Sequence, residues 1–245
     1  MNNAADQRFR DWMALLLYEL GGRNGLRYSQ FAWRTRLALA HKDLGFESRL
    51  VAVSDKASIA FSGQDKVPIL VDGERVVTDS WRIAEYLEAQ YPDRTSLFGG
   101  AVGHGLARFV NSWVDRQLIP ALVPLYMIDV VDRVEPVDAS HLRAQMEKAF
   151  GKTLEQLAAA RDVQIGAVRH LLVPVRATLR AQPYLAGASP AYADFVLFSI
   201  FQWIRLVSGF EPLESSDAIG AWRERMLDLF GGLARAHSAG PPAQR

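Results

Sequence analysis

The chain has 245 residues, of which 49% are hydrophobic and 22% charged, a composition typical of a globular protein with its own core. Lysine and arginine number 28 against 27 aspartates and glutamates, and this net charge of +1 excludes the strongly basic surface of a nucleic-acid binder. The absence of cysteine excludes disulfides, thiolate metal sites and a cysteine nucleophile.

The sequence gives no sign of a metal site or a membrane segment. The five histidines lack the spacing of zinc ligands, and the longest nearly apolar stretch, residues 195–204, is about half the length of a membrane-spanning helix. Residues 1–12 lack the apolar core of a secretion signal, and Met13 is a second candidate for the first residue. We therefore expect a cytoplasmic protein with no metal, no membrane and no nucleic acid among its partners.

The first third of the chain alternates strand and helix patterns. Apolar runs, alternation and helical spacing predict a strand, a helix, a second strand, a hairpin through Asp72-Gly73 and a helix that ends at Pro92. The corresponding ranges are 15–18, 31–44, 46–53, 67–77 and 80–91. These elements predict an α/β domain over residues 13–92.

A turn-rich linker at 93–100 precedes a region that reads as helix throughout, residues 101–236. Pro120, Pro124 and Pro174 fall within helical patterns and predict kinks, and Asp138-Ala139-Ser140 is expected to precede a new helix. A helix over 191–207 is apolar nearly all round and should be central. The tails, 1–12 and 237–245, are expected to be disordered.

Val67-Pro68 opens the first strand of the hairpin. Proline is tolerated at the first residue of a strand, and a peptide bond before proline is the one at which the cis form costs little. A cis bond here would turn the Val67 backbone outward to pair with an extended peptide ligand. A trans proline at a strand start is the alternative reading.

Asp79 and Ser80 begin the helix at 80–91. The free N–H groups of a helix N-terminus favour a carboxylate, the Ser80 hydroxyl adds a donor, and Asp79 can hold an ammonium. The pair suits the head group of an amino acid. Thr78 or Asp79 acting only as the helix cap is the alternative.

Ser29 stands just before the helix at 31–44. Its hydroxyl would lie beside the positive end of the helix, where it could stabilise a thiolate from a thiol whose ordinary pKa is near 8.5. Ser29 acting as a helix cap without a ligand is the alternative.

In order and spacing these motifs resemble the glutathione transferase family, which has a thioredoxin-like N-terminal domain followed by an all-helical domain. Pro183-Tyr184-Leu185-Ala186-Gly187 and Asp194 resemble the family's motif before its buried central helix, although Ala191 replaces the usual capping serine or threonine. The run from Ser29 to Arg36 is most similar to the serine-type branch, which contains the bacterial lignin β-aryl-ether-cleaving enzymes (β-etherases of lignin degradation) and related fungal transferases.

The resemblance implies glutathione as co-substrate and a homodimer. It implies that Ser29 binds the glutathione sulfur, with Tyr18 at the end of the first strand as the alternative thiol-activating residue. Five further positions would bind the rest of the peptide: Val67 its cysteinyl backbone, Asp79 and Ser80 its γ-glutamyl group, and Gln64 and Lys66 its carboxylates. Val67 would do so through the turn that Pro68 forms.

The second substrate is expected between the two domains, where aromatic side chains could line a site for an apolar or aromatic electrophile. Candidates for this lining are Phe31, Trp33, Trp113, Tyr126, Phe201 and Trp203. Arg34 and Arg36 could also reach a ligand. A non-catalytic relative that binds an apolar ligand or a protein partner is the alternative function.

Overall fold

A computed structural model describes residues 15–238. Residues 15–90 form a small mixed sheet with helices, and the rest of the described chain is helical from Ala101 onward. The expected fold class, a thioredoxin-like α/β domain followed by an all-helical domain, is confirmed. Met13, the predicted tail 1–12 and residues 239–245 of the predicted tail 237–245 lie outside the described residues.

Four strands form one sheet in the order β2-β1-β3-β4. β1 (Leu15–Leu20) pairs in parallel with β2 (Phe46–Val51) and antiparallel with β3 (Ile69–Asp72). β3 in turn pairs antiparallel with β4 (Arg75–Thr78) through the predicted hairpin. The parallel pair needs a crossover, and α1 (Gln30–His41) supplies it.

The two faces of β1 belong to different cores, because successive side chains of a strand point to opposite sides. Leu15 and Leu17 join the main hydrophobic core together with residues of α1 and of α2 (Ser80–Gln90). Tyr18 belongs to a small separate cluster with Ile59, which lies in a short 3₁₀ segment. The helices α1 and α2 therefore cover one face of the sheet, and Tyr18 points to the other.

The helical domain is built around one buried helix. That helix, α9 (Tyr192–Val207), is buried on nearly every side, as its continuous apolar sequence predicts. The helices in chain order are α3 (Ala101–Trp113), α4 (Ile119–Val131), α5 (Pro136–Phe150), α6 (Leu154–Ala159), α7 (Arg161–Leu171), α8 (Val173–Ala181), α9 (Tyr192–Val207) and α10 (Ala218–Gly232).

Three proline or cap predictions in this domain are corrected. Pro120 and Pro174 lie in the first turns of α4 and α8, where a helix does not need the missing N–H. The irregularity before α4 is a π-helical turn, Val114–Leu118. α5 begins at Pro136, so Asp138 lies inside its first turn instead of preceding the helix. Pro124 does lie inside α4.

His237, the first residue of the tail expected to be disordered, packs against the first domain. Its ring meets that of Trp33 edge-on, with 5.2 Å between the ring centroids. Within residues 15–238, no helix is long and apolar enough to cross a membrane. The same residues bring no three potential metal ligands together.

Candidate functional site

The sheet topology brings the three sequence motifs to one edge. β1 and β4 run in the same direction and β3 runs opposite to both, with Tyr18, Ile69 and Thr78 in register. The C-terminal ends of β1 and β4 and the N-terminal end of β3 therefore lie at the same end of the sheet, which is called the sheet edge below. Ser29 follows β1, Val67-Pro68 precedes β3, and Asp79-Ser80 follows β4, so all three motifs lie at this edge.

Ser29 is the N-cap of α1. Its Oγ accepts a hydrogen bond from the Ala32 N–H at 3.3 Å, and its carbonyl accepts the Trp33 N–H at 3.0 Å. The residue is only 3% exposed. Because the hydroxyl oxygen is the acceptor in the cap, its proton remains available for donation to a ligand.

Tyr18 lies on the sheet face opposite to α1, packed with Val51, Ile59 and Ile69. Its ring is tilted against Phe61 at 5.1 Å, and its hydroxyl lies 3.5 Å from an Arg49 nitrogen. This orientation separates Tyr18 from the N-terminus of α1. The geometry therefore favours Ser29 over Tyr18 as the group beside a bound thiol.

The Val67–Pro68 peptide bond is cis. Val67 lies outside the β1–β3 ladder, which begins with the pair Tyr18 and Ile69. Its backbone therefore stands beside the sheet edge, where an extended peptide can align with it. Gln64 and Lys66 lie on the short loop before it, Gln64 half-buried and Lys66 exposed.

Asp79 is the N-cap of α2, and its Oδ1 accepts the N–H groups of Trp81 and Arg82 at 3.0 and 3.1 Å. Its φ of 72° lies in the left-handed region, which costs a non-glycine residue about 1–3 kcal/mol. Strain of this kind is often found at ligand sites. The two cap hydrogen bonds hold the residue in this conformation and leave Oδ2 for a ligand.

Ser80 is buried at the start of α2, and its carbonyl accepts the Tyr192 hydroxyl at 2.8 Å. Burial raises the pKa of Tyr192, so this phenol stays protonated and remains a donor. The contact ties the candidate site to the central helix α9. The Ser80 Oγ makes no hydrogen bond within residues 15–238 and can serve a ligand.

A polar cavity of about 570 Å³ adjoins Asp79 at the N-terminus of α2. Its far wall comes from α3 and the π-helical turn, which sequence reasoning did not connect with this site. The Arg108 guanidinium lies over the Trp81 ring at 4.8 Å. Charged side chains in this lining are Asp79, Arg82, Glu85, Arg108, Asp115 and Arg116. π-Helical turns are often found at functional sites. The turn is therefore a local feature that indicates a functional role for this wall of the cavity.

Arg34 and Arg36, considered as ligand contacts, are both buried in internal pairs. Arg34 donates to Asn111 at 3.1 Å and to Asp115 at 2.7 Å. Arg36 donates to Glu19 at 2.7 Å. These arginines therefore hold α1 in place, and Arg34 fixes α1 to the helical domain.

Four of the six aromatic candidates for the acceptor lining are buried in the core and do not face a cleft. Trp33 and Tyr126 are fully buried, with Trp33 Nε1 bonded to the Arg27 carbonyl and Tyr126 Oη to the Phe210 carbonyl. Phe201 and Trp203 also belong to the core. Helical spacing identifies an apolar face but does not show whether that face meets a cleft or the core.

The two remaining aromatic candidates are partly exposed. Phe31 stacks with the Arg34 guanidinium at 4.8 Å. Trp113 lines an apolar cavity of about 530 Å³ whose walls all come from residues 97–113 and 174–193. That cavity includes no residue of the first domain, so it is not the expected site between the domains.

Two sequence families match the chain. Residues 105–230 match the C-terminal domain of glutathione S-transferases, and residues 25–95 match their N-terminal domain. Glutathione S-transferase U7 of Arabidopsis thaliana is 23% identical over 211 residues, which cover 83% of this chain and 81% of the relative. A probable maleylacetoacetate isomerase of Vibrio cholerae is 34% identical over 87 residues, 33% of this chain and 38% of its own.

Solved structures agree in fold. A glutathione S-transferase of Ceriporiopsis subvermispora, crystallised with glutathione, has a TM-score of 0.75 at 21% identity and covers 94% of this chain and all (100%) of its own. A glutathione transferase of Phanerochaete chrysosporium has a TM-score of 0.73 at 21% identity, over 93% and 98%. At this identity the likeness concerns the fold. The domain matches, which cover both halves of the chain, show that the protein belongs to the glutathione S-transferase family.

Proposed function

We propose that the protein transfers glutathione to an electrophile, with Ser29 stabilising the thiolate. The observation that carries this proposal is the meeting of a hydroxyl cap, a free strand-edge backbone and a carboxylate cap at one edge of the sheet. Glutathione offers a thiol, a peptide backbone and an amino-acid head group. Each of the three groups at the edge suits one of these.

The thiol needs its pKa lowered for catalysis at neutral pH. Each unit below about 8.5 requires about 1.4 kcal/mol in favour of the thiolate. A hydrogen bond to a charged acceptor contributes about 1.5–3 kcal/mol, and the N-terminus of a helix adds about 0.3–1 kcal/mol. The Ser29 proton and the end of α1 together are sufficient to lower the pKa by about one to two units.

The other groups orient the peptide. The Val67 backbone pairs with the cysteinyl residue, Asp79 Oδ2 accepts the γ-glutamyl ammonium, and Ser80 Oγ donates to its carboxylate. Gln64 and Lys66 hold the remaining carboxylate. In this arrangement the peptide crosses the sheet edge with its sulfur toward Ser29.

The thiol proton passes to solvent when the thiolate forms. The sulfur then attacks the carbon that bears the leaving group, a C–S bond forms, and the leaving group departs with the electron pair of the broken bond. An apolar or aromatic electrophile is the proposed acceptor class. Cleavage of a β-aryl ether, with phenolate as the leaving group, is the narrower version and rests on the resemblance of residues 29–36 alone.

Glutathione titration, followed by turnover of a generic halo-aromatic and of a fluorogenic β-aryl ether, tests the proposal. We expect Ser29→Ala to raise the pKa of bound glutathione by about one to two units, read from thiolate absorbance, and to reduce kcat/KM at pH 7 about tenfold or more. Ser29→Thr keeps a hydroxyl cap and is the matched control. Absence of binding at millimolar glutathione refutes the proposal, and binding without turnover favours the non-catalytic alternative.

We also propose a homodimer, which the family resemblance implies. Val102, Leu106 and Phe109 lie on one face of α3 and are 79%, 63% and 71% exposed. An apolar stripe of this kind is typical of an interaction surface. Sedimentation should give a dimer that Phe109→Glu weakens, and a monomeric wild type would contradict the proposal.

A further inference from the structure

A cavity of about 360 Å³ lies between the loop after β1, the end of α4 and the segment after α10. Leu26 and Leu206 contribute apolar walls. The charged or titratable side chains of its lining are Arg23, Arg27, Asp132, Arg133 and His237. None of the aromatic side chains expected around the acceptor lines this cavity.

This cavity adjoins the chain segment that leads into α1. Arg27 precedes Ser29 by two residues, and its carbonyl accepts Trp33 Nε1 at 2.8 Å. Trp33 lies one helical turn after Ser29 and packs against His237, which also lines the cavity. The cavity wall at Arg27 is therefore two residues from the helix end that Ser29 caps.

Positive charge predominates around the cavity. The lining contains three arginines and one carboxylate, namely Arg23, Arg27, Arg133 and Asp132. Behind the lining, Glu19 pairs with Arg27 and Arg36, which adds one negative and one positive charge. Burial lowers the pKa of His237, which is thus neutral at pH 7. The surroundings therefore carry a net charge of +2.

Arg27 and Arg36 share the buried carboxylate of Glu19, which fixes the Arg27 side chain at the cavity wall. The Arg23 guanidinium differs, since it makes no hydrogen bond or ion pair within residues 15–238. It is half-buried and lines the cavity. Arg23 is therefore the cation that an anionic ligand can engage directly.

The loop that carries Arg23 is seated on the helical domain. The Arg23 N–H donates to the Arg133 carbonyl at 2.8 Å. A side chain at Gly22 would place its Cβ 2.7 Å from the same oxygen, so this close approach requires glycine. The basic wall is thus preorganised, which reduces the entropy lost on binding.

We propose that this cavity binds an anionic group of the acceptor, a carboxylate being the simplest, and so selects negatively charged electrophiles. The inference rests on the proposed transferase function. It assigns the anion to the acceptor because the groups proposed for glutathione come from residues 29–80 along the sheet edge. This cavity is instead lined by residues 23–27, which precede that range, and by residues of the helical domain that follow α4, lie in α9 or follow α10.

Steady-state kinetics with two acceptors of matched reactivity provide the test: a neutral chlorodinitrobenzene and a chlorodinitrobenzoate that carries a carboxylate in addition. We expect Arg23→Gln to raise KM for the benzoate about tenfold, equivalent to about 1.4 kcal/mol, with KM for glutathione and for the neutral acceptor unchanged within about twofold. Arg23→Lys should restore part of the preference. Arg180→Gln, at an exposed arginine of α8, is the control.

The preference for the benzoate should also fall as salt is added, because partly exposed charges are screened. Equal losses for both acceptors, a raised KM for glutathione, or no change in Arg23→Gln would each overturn the inference. A wild type that turns over neither of these acceptors nor the fluorogenic β-aryl ether contradicts the proposed transferase function. Calorimetric titration of the benzoate without glutathione then decides on the anion site, since equal affinity in wild type and Arg23→Gln rejects it.

Discussion

The carboxylate of Asp138 joins the two domains at a point that should affect both stability and glutathione binding. It is 1% exposed, in the first turn of α5. Its two oxygens accept the backbone N–H groups of Val53 and Ser54, each at 2.8 Å. Val53 and Ser54 begin the loop that runs from β2 to Val67, so the helical domain fixes the start of this loop.

The expected cost follows from these two hydrogen bonds. A hydrogen bond to a charged group contributes about 1.5–3 kcal/mol, and the exposed Ser54 N–H can recover part of its loss from water. Asp138→Ala should therefore reduce the free energy of unfolding by about 3 kcal/mol. For a chain of this size that lowers Tm by about 6–12 °C.

Asp138→Asn separates the role of the carboxylate from that of packing. The amide has the same shape but turns one N–H donor against a backbone N–H, so its cost should approach that of alanine. Thermal unfolding and urea titration measure the loss, with Asp93→Asn on the exposed linker as the control. KM for glutathione should rise more than kcat falls. A change in Tm below about 2 °C for Asp138→Asn would refute the reasoning.

Three further predictions concern single side chains. Tyr18→Phe should leave the pKa of bound glutathione unchanged, because its ring faces away from α1; a rise would reassign the thiol-activating hydroxyl. Ala191→Ser should supply the missing side-chain cap of α9 and raise stability by about 1 kcal/mol in urea unfolding. Although burial acts to raise it, hydrogen bonds from Leu97 N–H and Lys42 hold the pKa of Glu88 below its ordinary 4.5. The stabilising contribution of Glu88 is therefore present above about pH 4.5 and is lost as the pH falls through its lower native pKa. In Glu88→Gln the free energy of unfolding should therefore fall less steeply at acidic pH.

Local signals made most of the fold predictable from the sequence. Ser29 and Asp79 were identified because an N-cap acts on residues two or three positions away, and α9 because its apolar character is continuous. The sequence pattern places the start of α5 after Asp138-Ala139-Ser140, which is too late, because Pro136 already occupies the first turn.

Contacts between distant segments could not be found in this way. The partners of Asp138 lie 84 and 85 residues earlier, and Arg108 and Arg116 reach the cavity beside Asp79 from another domain. The basic cavity combines four segments that lie far apart in the chain. The spacing of residues in the sequence does not predict these long-range contacts, because they depend on how the helical domain packs against the sheet.

The sequence left open whether Ser29 and Asp79 cap helices or bind a ligand, and the geometry makes the two roles compatible. Ser29 uses its oxygen for the Ala32 N–H and keeps its proton, while Asp79 uses Oδ1 for two N–H groups and keeps Oδ2. Accepting a hydrogen bond also polarises the Ser29 hydroxyl toward donation. Removing either side chain should therefore weaken the helix start and the proposed ligand contact together. Stability and glutathione affinity must be measured on the same variants. Ser29→Gly, which costs a helix cap only about a few tenths of a kcal/mol but removes the hydroxyl, is the variant that can separate them.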